Sequence, residues 1–193
     1  MMMKTKCNLL LLKKNIMIRF YNMNTIPSVL PNNLQTYFIQ LKNYLDTELY
    51  FYGSVIRNDY IKNKSDIDLC IFTDNEQSTI IKLKSYFHIG QKNIKKVIQK
   101  SEHDNMVIYG YKIKFIVDDV KCEIHIYNDR FKEKLINEMQ VPLKSPFYST
   151  LFLYILKLFH YIIPILSKDT YISIKKYYIN NFIKSDNTLY LVL

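Results

Sequence analysis

The sequence predicts an α+β domain followed by a short helical C-terminal tail. Three observations carry this. Alternating or continuous apolar runs mark strands at 49–52, 67–72 and 106–127. Apolar residues at helical spacing mark helices between and after those runs. A chain of 193 residues with 49% hydrophobic content suits one domain with a small appendage. The expected division is an N-terminal arm at 1–30, a core at 31–141 and a helical tail at 142–193.

Residues 1–26 show no clear period and read as a loose strand or a partly ordered arm. The first residues imitate a secretory signal, but the apolar run Leu9–Leu12 is short and Lys13-Lys14 ends it. Pro27 and Pro31 punctuate the chain. Asn32 or Asn33 then caps a helix to about Asp46, on which Leu34, Phe38, Leu41 and Leu45 recur. Leu49 to Tyr52 reads as a buried strand. Gly53 lets the backbone turn sharply, and Val55 to Lys62 reads as a short helix. On the next strand Ile67, Leu69 and Ile71 alternate with Asp66, Asp68 and Cys70, so the two carboxylates share a face.

Thr73-Asp74-Asn75 is a turn and N-cap. Ile80, Leu83 and Phe87 mark a helix that ends near Gly90, and Gln91 to Lys100 reads as a second helix with a solvated lysine face. Met106 to Val117 alternates, Asp118-Asp119 makes a two-residue turn, and Val120 to Tyr127 returns as the second arm of a hairpin. Glu123, His125 and Tyr127 then share one face. Asp129 caps a helix over about 130–139, and Pro142 and Pro146 break the chain. Two further helices are expected at 147–166 and 169–183, with 185–193 either frayed or a short edge strand. Phe147–Leu166 is apolar enough to resemble a membrane span, but Lys157 near its middle argues against one. Leu151, Phe152, Ile155, Leu158, Phe159 and Ile162 form the arc expected to pack on the core. Lys157 and His160 lie on the other arc and are expected to face solvent.

The formal net charge is +10, yet only Arg19, Arg57 and Arg130 among the 27 basic residues are arginines. Abundant Lys, Ile, Asn and Tyr are what AT-rich coding produces, so composition accounts for most of the charge. An anionic substrate still gains from that field. Cys7, Cys70 and Cys122 form no framework, and the strand alternation points Cys70 and Cys122 to opposite faces. No disulfide and a reducing, cytoplasmic compartment are expected.

Two neighbouring carboxylates repel, and one takes up a proton unless a cation lies between them. An all-oxygen ligand set suits a hard divalent ion, most simply magnesium, with manganese as its substitute. Gly53-Ser54 after a strand, eleven residues, then Asp66-Ile67-Asp68 on the next strand resembles the signature of the polymerase-beta-like nucleotidyltransferase superfamily. The resemblance covers about residues 35–127. Asn58 stands where many members carry a second glycine.

The resemblance implies a small mixed β-sheet with helices packed on one side. It implies transfer of a nucleoside monophosphate from a nucleoside triphosphate to an acceptor hydroxyl on RNA, protein or a small molecule, with release of pyrophosphate. The implied catalytic and metal-binding residues are Asp66, Asp68 and, on the later strand, Glu123. By the resemblance Gly53 and Ser54 alone would hold the triphosphate; Ser65 and Arg57 are nucleotide-binding candidates of this sequence's own, Arg57 by its place near the turn, where its stem could instead cover apolar surface. His125 shares Glu123's face and reads as a bystander. Tyr50, Tyr52 and Tyr60 are candidates for stacking on a base. The rival reading is a fold relative that binds without turnover, an antitoxin-like interaction module. No membrane partner is expected, and the sequence leaves oligomeric state open.

Overall fold

The computed structural model of the chain describes residues 23–57, 59–100, 106–140, 147–183 and 190–192. Helix α1 is Asn32–Leu45, α2 Glu76–Phe87, α3 Lys132–Gln140, α4 Phe147–Tyr161 and α5 Lys168–Tyr178. The strands are β1 Tyr50–Tyr52, β2 Ile67–Thr73, β3 Ile94–Lys100, β4 Val107–Val117, β5 Val120–Asn128 and β6 Tyr190–Val192. They form one sheet in the order β1-β2-β5-β4-β3-β6. Only β2 and β5 run parallel; the other pairs are antiparallel. The mixed α+β class is as expected.

Helix α1 buries Leu34, Phe38, Leu41 and Leu45, and Phe38 meets Phe51 of β1 edge-on at 5.2 Å. Leu69 and Ile71 on β2 and Ile124 and Ile126 on β5 are fully buried on that same face. Each such side chain contributes about 1.5–3 kcal/mol on leaving water. Helix α2 closes the layer, with Phe87 stacked on Phe115 of β4 at 4.0 Å. Its N-cap is Asn75, whose side chain accepts from the Ser78 amide. On the opposite face, Met139 of α3 lies against Cys70, sulfur to sulfur at 3.7 Å. Asp118 and Asp119, both at positive φ, make the tight turn between β4 and β5.

Four local expectations are corrected. Helix α1 starts behind Pro31 with no side-chain cap; Asn33 instead donates to Asp118 Oδ2 at 2.6 Å. No α-helix forms over the described residues of 55–62. A single 3-10 turn, Gly53–Val55, is followed by a loop in which Ser65 Oγ accepts from the Ile61 amide at 3.0 Å. The segment 91–100 is a 3-10 turn, Gln91–Asn93, and then β3, not a helix. Ile94, Val97 and Ile98 suit either period, but Val97 and Gln99 are buried alternately and both strand edges are paired.

The fourth concerns α4, whose orientation is reversed. Ser149, Leu153, Leu156 and Lys157 face inward, while Leu151, Ile155, Phe159 and Ile162 of the arc expected to pack are exposed. Helix α5 packs on α4 through the Phe152–Tyr178 and His160–Tyr171 stacks. Within 185–193, residues 190–192 form β6 beside β3.

Cys70 and Cys122 are free, buried and on opposite faces of the β2–β5 ladder, as the alternation required; Cys7 lies outside the described residues. Burial pushes the Cys122 thiol up to about 12. No described helix is long and apolar enough to cross a membrane.

Candidate active site

The site begins where β1 ends. Gly53 has φ +72°, a conformation that costs an L-residue roughly 1–2 kcal/mol. A Cβ there would also lie 2.8 Å from Asp68 Oδ2. The turn therefore brings the backbone directly against the β2 carboxylate, and Ser54 follows, buried within the 3-10 turn. A single 3-10 turn provides no helix dipole, so the expected helix N-terminus at Gly53-Ser54 is absent. Replacing Gly53 by Ala is expected to cost about 2 kcal/mol by denaturant unfolding and to displace Asp68. Unchanged stability would contradict the close approach.

Asp68 is paired with Tyr52 on one side and, through the parallel ladder, with Glu123 on the other. Two carboxylates from separate segments thus become neighbours on one face. Asp66 lies just outside β2, which starts at Ile67, and it is exposed. The expected same-strand pair is therefore one carboxylate on the strand and one at its mouth. Burial, reinforced by the charges of Glu123 and Asp66, pushes the Asp68 carboxyl up to about 6 against the pull of Lys175 and His125.

Glu123 behaves oppositely. Burial alone would raise it, but hydrogen bonds from His125 and Lys112 bring it down to about 2. Lys112 Nζ stands 2.5 Å from Oε1 and Lys114 Nζ 3.5 Å from Oε2. Both lysines come from β4, where the register sets Lys114 opposite Glu123 and Lys112 opposite His125. Among the described residues, no three Asp, Glu, His or Cys side chains stand together as a metal cage.

His125 is no bystander. Its Nε2 donates to Glu123 Oε1 at 3.0 Å. Its Nδ1 lies 3.3 Å from the Tyr52 hydroxyl and 3.1 Å from that of Tyr127, which donates to Gln99 at 3.1 Å. A buried chain of polar groups therefore fixes Glu123. The period-2 alternation already put Glu123, His125 and Tyr127 on one face, and that was the signal available. Lys112 and Lys114 occupy the same kind of position one strand over. Lys175, half-buried on α5, joins the site from the tail; nothing in its local sequence marks it.

The other candidates are placed differently. Arg57 pairs with Asp59 through two nitrogens, at 2.8 and 3.2 Å, so its charge is directed inward. Ser65 is buried and binds the Ile61 amide and Lys157 rather than opening to the site. Tyr50 packs on Phe72 at 5.3 Å and Tyr60 is buried, so neither offers a face to a base. Asn58 lies outside the described residues.

Lys157, expected in solvent, is 3% exposed. Its ammonium donates to the Asp59 carbonyl at 2.8 Å and to Ser65 Oγ at 3.2 Å, and lies 3.0 Å from Asp59 Oδ2. Burial lowers it to about 8, against the pull of Asp59. Helix α4 is thereby tied to the loop that leads into Asp66.

No curated protein matches the chain by sequence. Among solved structures, the Cid1 poly(U) polymerase, in its H336N mutant bound to MgATP, is similar at TM-score 0.39 and 17% identity. That likeness covers 70% of this chain and 42% of the polymerase, so the chain spans less than half of that protein. So distant a likeness does not inform the site. The family profile of the nucleotidyltransferase domain matches residues 33–142, more than half of the chain and all of the strands that carry Gly53, Asp68 and Glu123. The chain belongs to the nucleotidyltransferase domain family.

Proposed function

We propose that the chain moves a nucleoside monophosphate from a nucleoside triphosphate to an acceptor hydroxyl and releases pyrophosphate, with a divalent cation held by Asp66, Asp68 and Glu123. The observation that carries this is the Asp68–Glu123 pairing beside Gly53. The donors are oxygens of the kind such an ion takes, and Asp68 and Glu123 already lie side by side; Asp66 and the Glu123 carboxylate, held by Lys112 and His125, would have to close on the ion. Among the described residues no ion pair is made by Asp68, and the charges of Glu123 and Asp66 add to its burial against the pull of Lys175 and His125. When bound, the ion would neutralise charge on the phosphates and sharpen the acceptor hydroxyl as a nucleophile.

The chain's own residues do the rest. The tight turn at Gly53-Ser54 gives phosphate oxygens access to the backbone. Lys175 adds positive charge on the same side as Asp68. His125 and Lys112 keep Glu123 ionised and aimed. At about 2, Glu123 is too weak a base to take a proton at neutral pH, so it serves by its charge.

The test uses triphosphates labelled at the α-phosphate, offered with magnesium to RNA, protein and small-molecule acceptors. Wild type is expected to transfer label. An Asp66→Ala/Asp68→Ala double variant with a native circular dichroism spectrum is expected to transfer none. Equal transfer by the two proteins would overturn the assignment.

A further inference from the structure

Beneath the β4–β5 hairpin lies an open pocket of about 620 Å³. Its floor is the Phe87–Phe115 stack, two nearly parallel rings 4.0 Å apart. Half-buried Tyr37 of α1 and Tyr86 of α2, edge to face at 5.9 Å, form one wall. Phe115 alternates with Lys114 along β4, so wall and floor belong to the helix-packed face of the sheet, opposite the face that carries Asp68 and Glu123. Asp68, Gly53 and Ser54 do not line the pocket. It is a chamber separate from the turn and strand on which the proposed chemistry rests.

Its polar groups are unspent. Burial pushes the Tyr37 and Tyr86 phenols up, so both stay neutral donors, and among the described residues neither hydroxyl has a hydrogen bond. Lys121 is exposed and, among the described residues, in no ion pair. Asp66, Glu123 and Lys114 also line the pocket. The two lysines match the two carboxylates, and Glu123 is held besides by Lys112 and His125 from outside the pocket. The local balance is positive, in a chain of net charge +10. An aromatic cavity of this size with a few convergent polar groups is the usual form of a small-molecule site. Ring walls favour a flat ring, and the charge balance favours an anion.

Lys114 joins the pocket to the active site. Its ammonium lies 3.5 Å from Glu123 Oε2, while Oε1 is taken by Lys112 and His125. Lys114 is exposed, so this hold is loose. We infer that the pocket is an effector site for a flat aromatic ring bearing one anionic group, and that such a ligand activates by drawing Lys114 off Glu123. The ring lies against the tyrosine wall and the phenylalanine floor, and its anion meets Lys121 and Lys114. Glu123 Oε2 is then open to a cation. The coupling is reciprocal: a cation held by Glu123 tightens the pocket's ligand by the same factor. The binding half stands without the proposed transfer reaction; the activating half rests on its cation.

The probes are 1-naphthoate and its uncharged counterpart 1-naphthamide, titrated by calorimetry into the full chain. Wild type is expected to bind one naphthoate, and the amide about tenfold more weakly. Tyr86→Leu and Lys121→Gln should each weaken naphthoate about fivefold or more. Lys121 is exposed, so its variant should melt with wild type. Naphthoate should tighten manganese uptake, read from the free-ion paramagnetic resonance signal, about threefold, and manganese should tighten naphthoate equally. Lys114→Met should take up manganese as naphthoate-bound wild type does and gain nothing further from the probe. Naphthoate binding that both pocket variants leave unchanged overturns the inference, as does amide binding as tight as that of the acid. So does manganese uptake that bound naphthoate leaves unchanged. Naphthoate binding that needs Tyr86 and Lys121, in a protein that takes up no manganese with or without it, would sustain the pocket and sink the cation reading.

Discussion

Replacing Asp68 by Asn is expected to abolish transfer and, in the metal-free protein, to raise stability at neutral pH. The two effects have one cause. Burial pushes the folded carboxyl up to about 6 from its ordinary value of 3.8. A carboxyl raised in the folded state binds its proton more tightly there than in the unfolded chain. The fold therefore loses stability as pH rises from about 4 to about 6, and the loss is complete above 6. A shift of this size corresponds to roughly 3 kcal/mol, or several degrees in Tm for a domain of this length.

Asn keeps the shape and removes the charge. Wild type and Asp68→Asn should melt together near pH 4 and diverge by pH 7, with the variant the more stable. Transfer should fall by a thousandfold or more, on the order of the several kcal/mol that a polarising cation supplies. Thermal melts across that pH range, paired with label transfer, check both halves. A variant that melts below wild type at pH 7 would contradict the reading of Asp68 as a strained anion. Glu123 has the opposite sign: held down at about 2, it stabilises above its ordinary value of 4.5 and loses that contribution as pH falls toward 2. The window from 4.5 to 6 therefore isolates Asp68.

The second large effect is expected at Lys157. Changing it to Met removes the donor to the Asp59 carbonyl and to Ser65 Oγ and leaves Asp59 with Arg57 as its remaining partner. Breaking one side of a buried pair typically costs about 3–5 kcal/mol. Because Arg57 stays, the lower part of that range, about 3 kcal/mol, is expected by denaturant unfolding. Activity should fall too, because Ser65 and its loop fix the approach to Asp66. If Lys157→Met unfolds at the wild-type midpoint, the tie between tail and loop carries no energy.

The fold and the site were legible to different degrees, for physical reasons. Gly53, Asp68 and Glu123 could be read because each depends on local chemistry: a positive-φ turn, and alternation along two strands. The hairpin could be read because Asp118-Asp119 suits a tight turn and both arms alternate. Segment 91–100 was misread as a helix because apolar residues three and four apart fit a strand buried at only two positions. Pairing with β4 and β6 decided the matter, and pairing is not local. The loop after the Gly53–Val55 turn is held by a contact from 98 residues away, where Lys157 meets the Asp59 carbonyl, and no local pattern announces it. The same contact lies on the inward face of α4. A lysine with a carboxylate, a carbonyl and a hydroxyl to bind can enter a core that its charge alone would bar. His125 was visible as a position on a face, but its hydrogen bonds to Glu123 and toward Tyr52 and Tyr127 needed the neighbouring strands in place.

The central claim is that Asp66, Asp68 and Glu123 act together on one divalent cation beside Gly53-Ser54. Manganese binding, followed by the loss of the free-ion paramagnetic resonance signal in the presence of a non-hydrolysable triphosphate, tests it most directly. Wild type should take up manganese and magnesium should compete it away, whereas Asp68→Asn and Glu123→Gln should each weaken uptake at least about tenfold. Uptake by Glu123→Gln equal to that of wild type would show that the strand carboxylates do not share an ion.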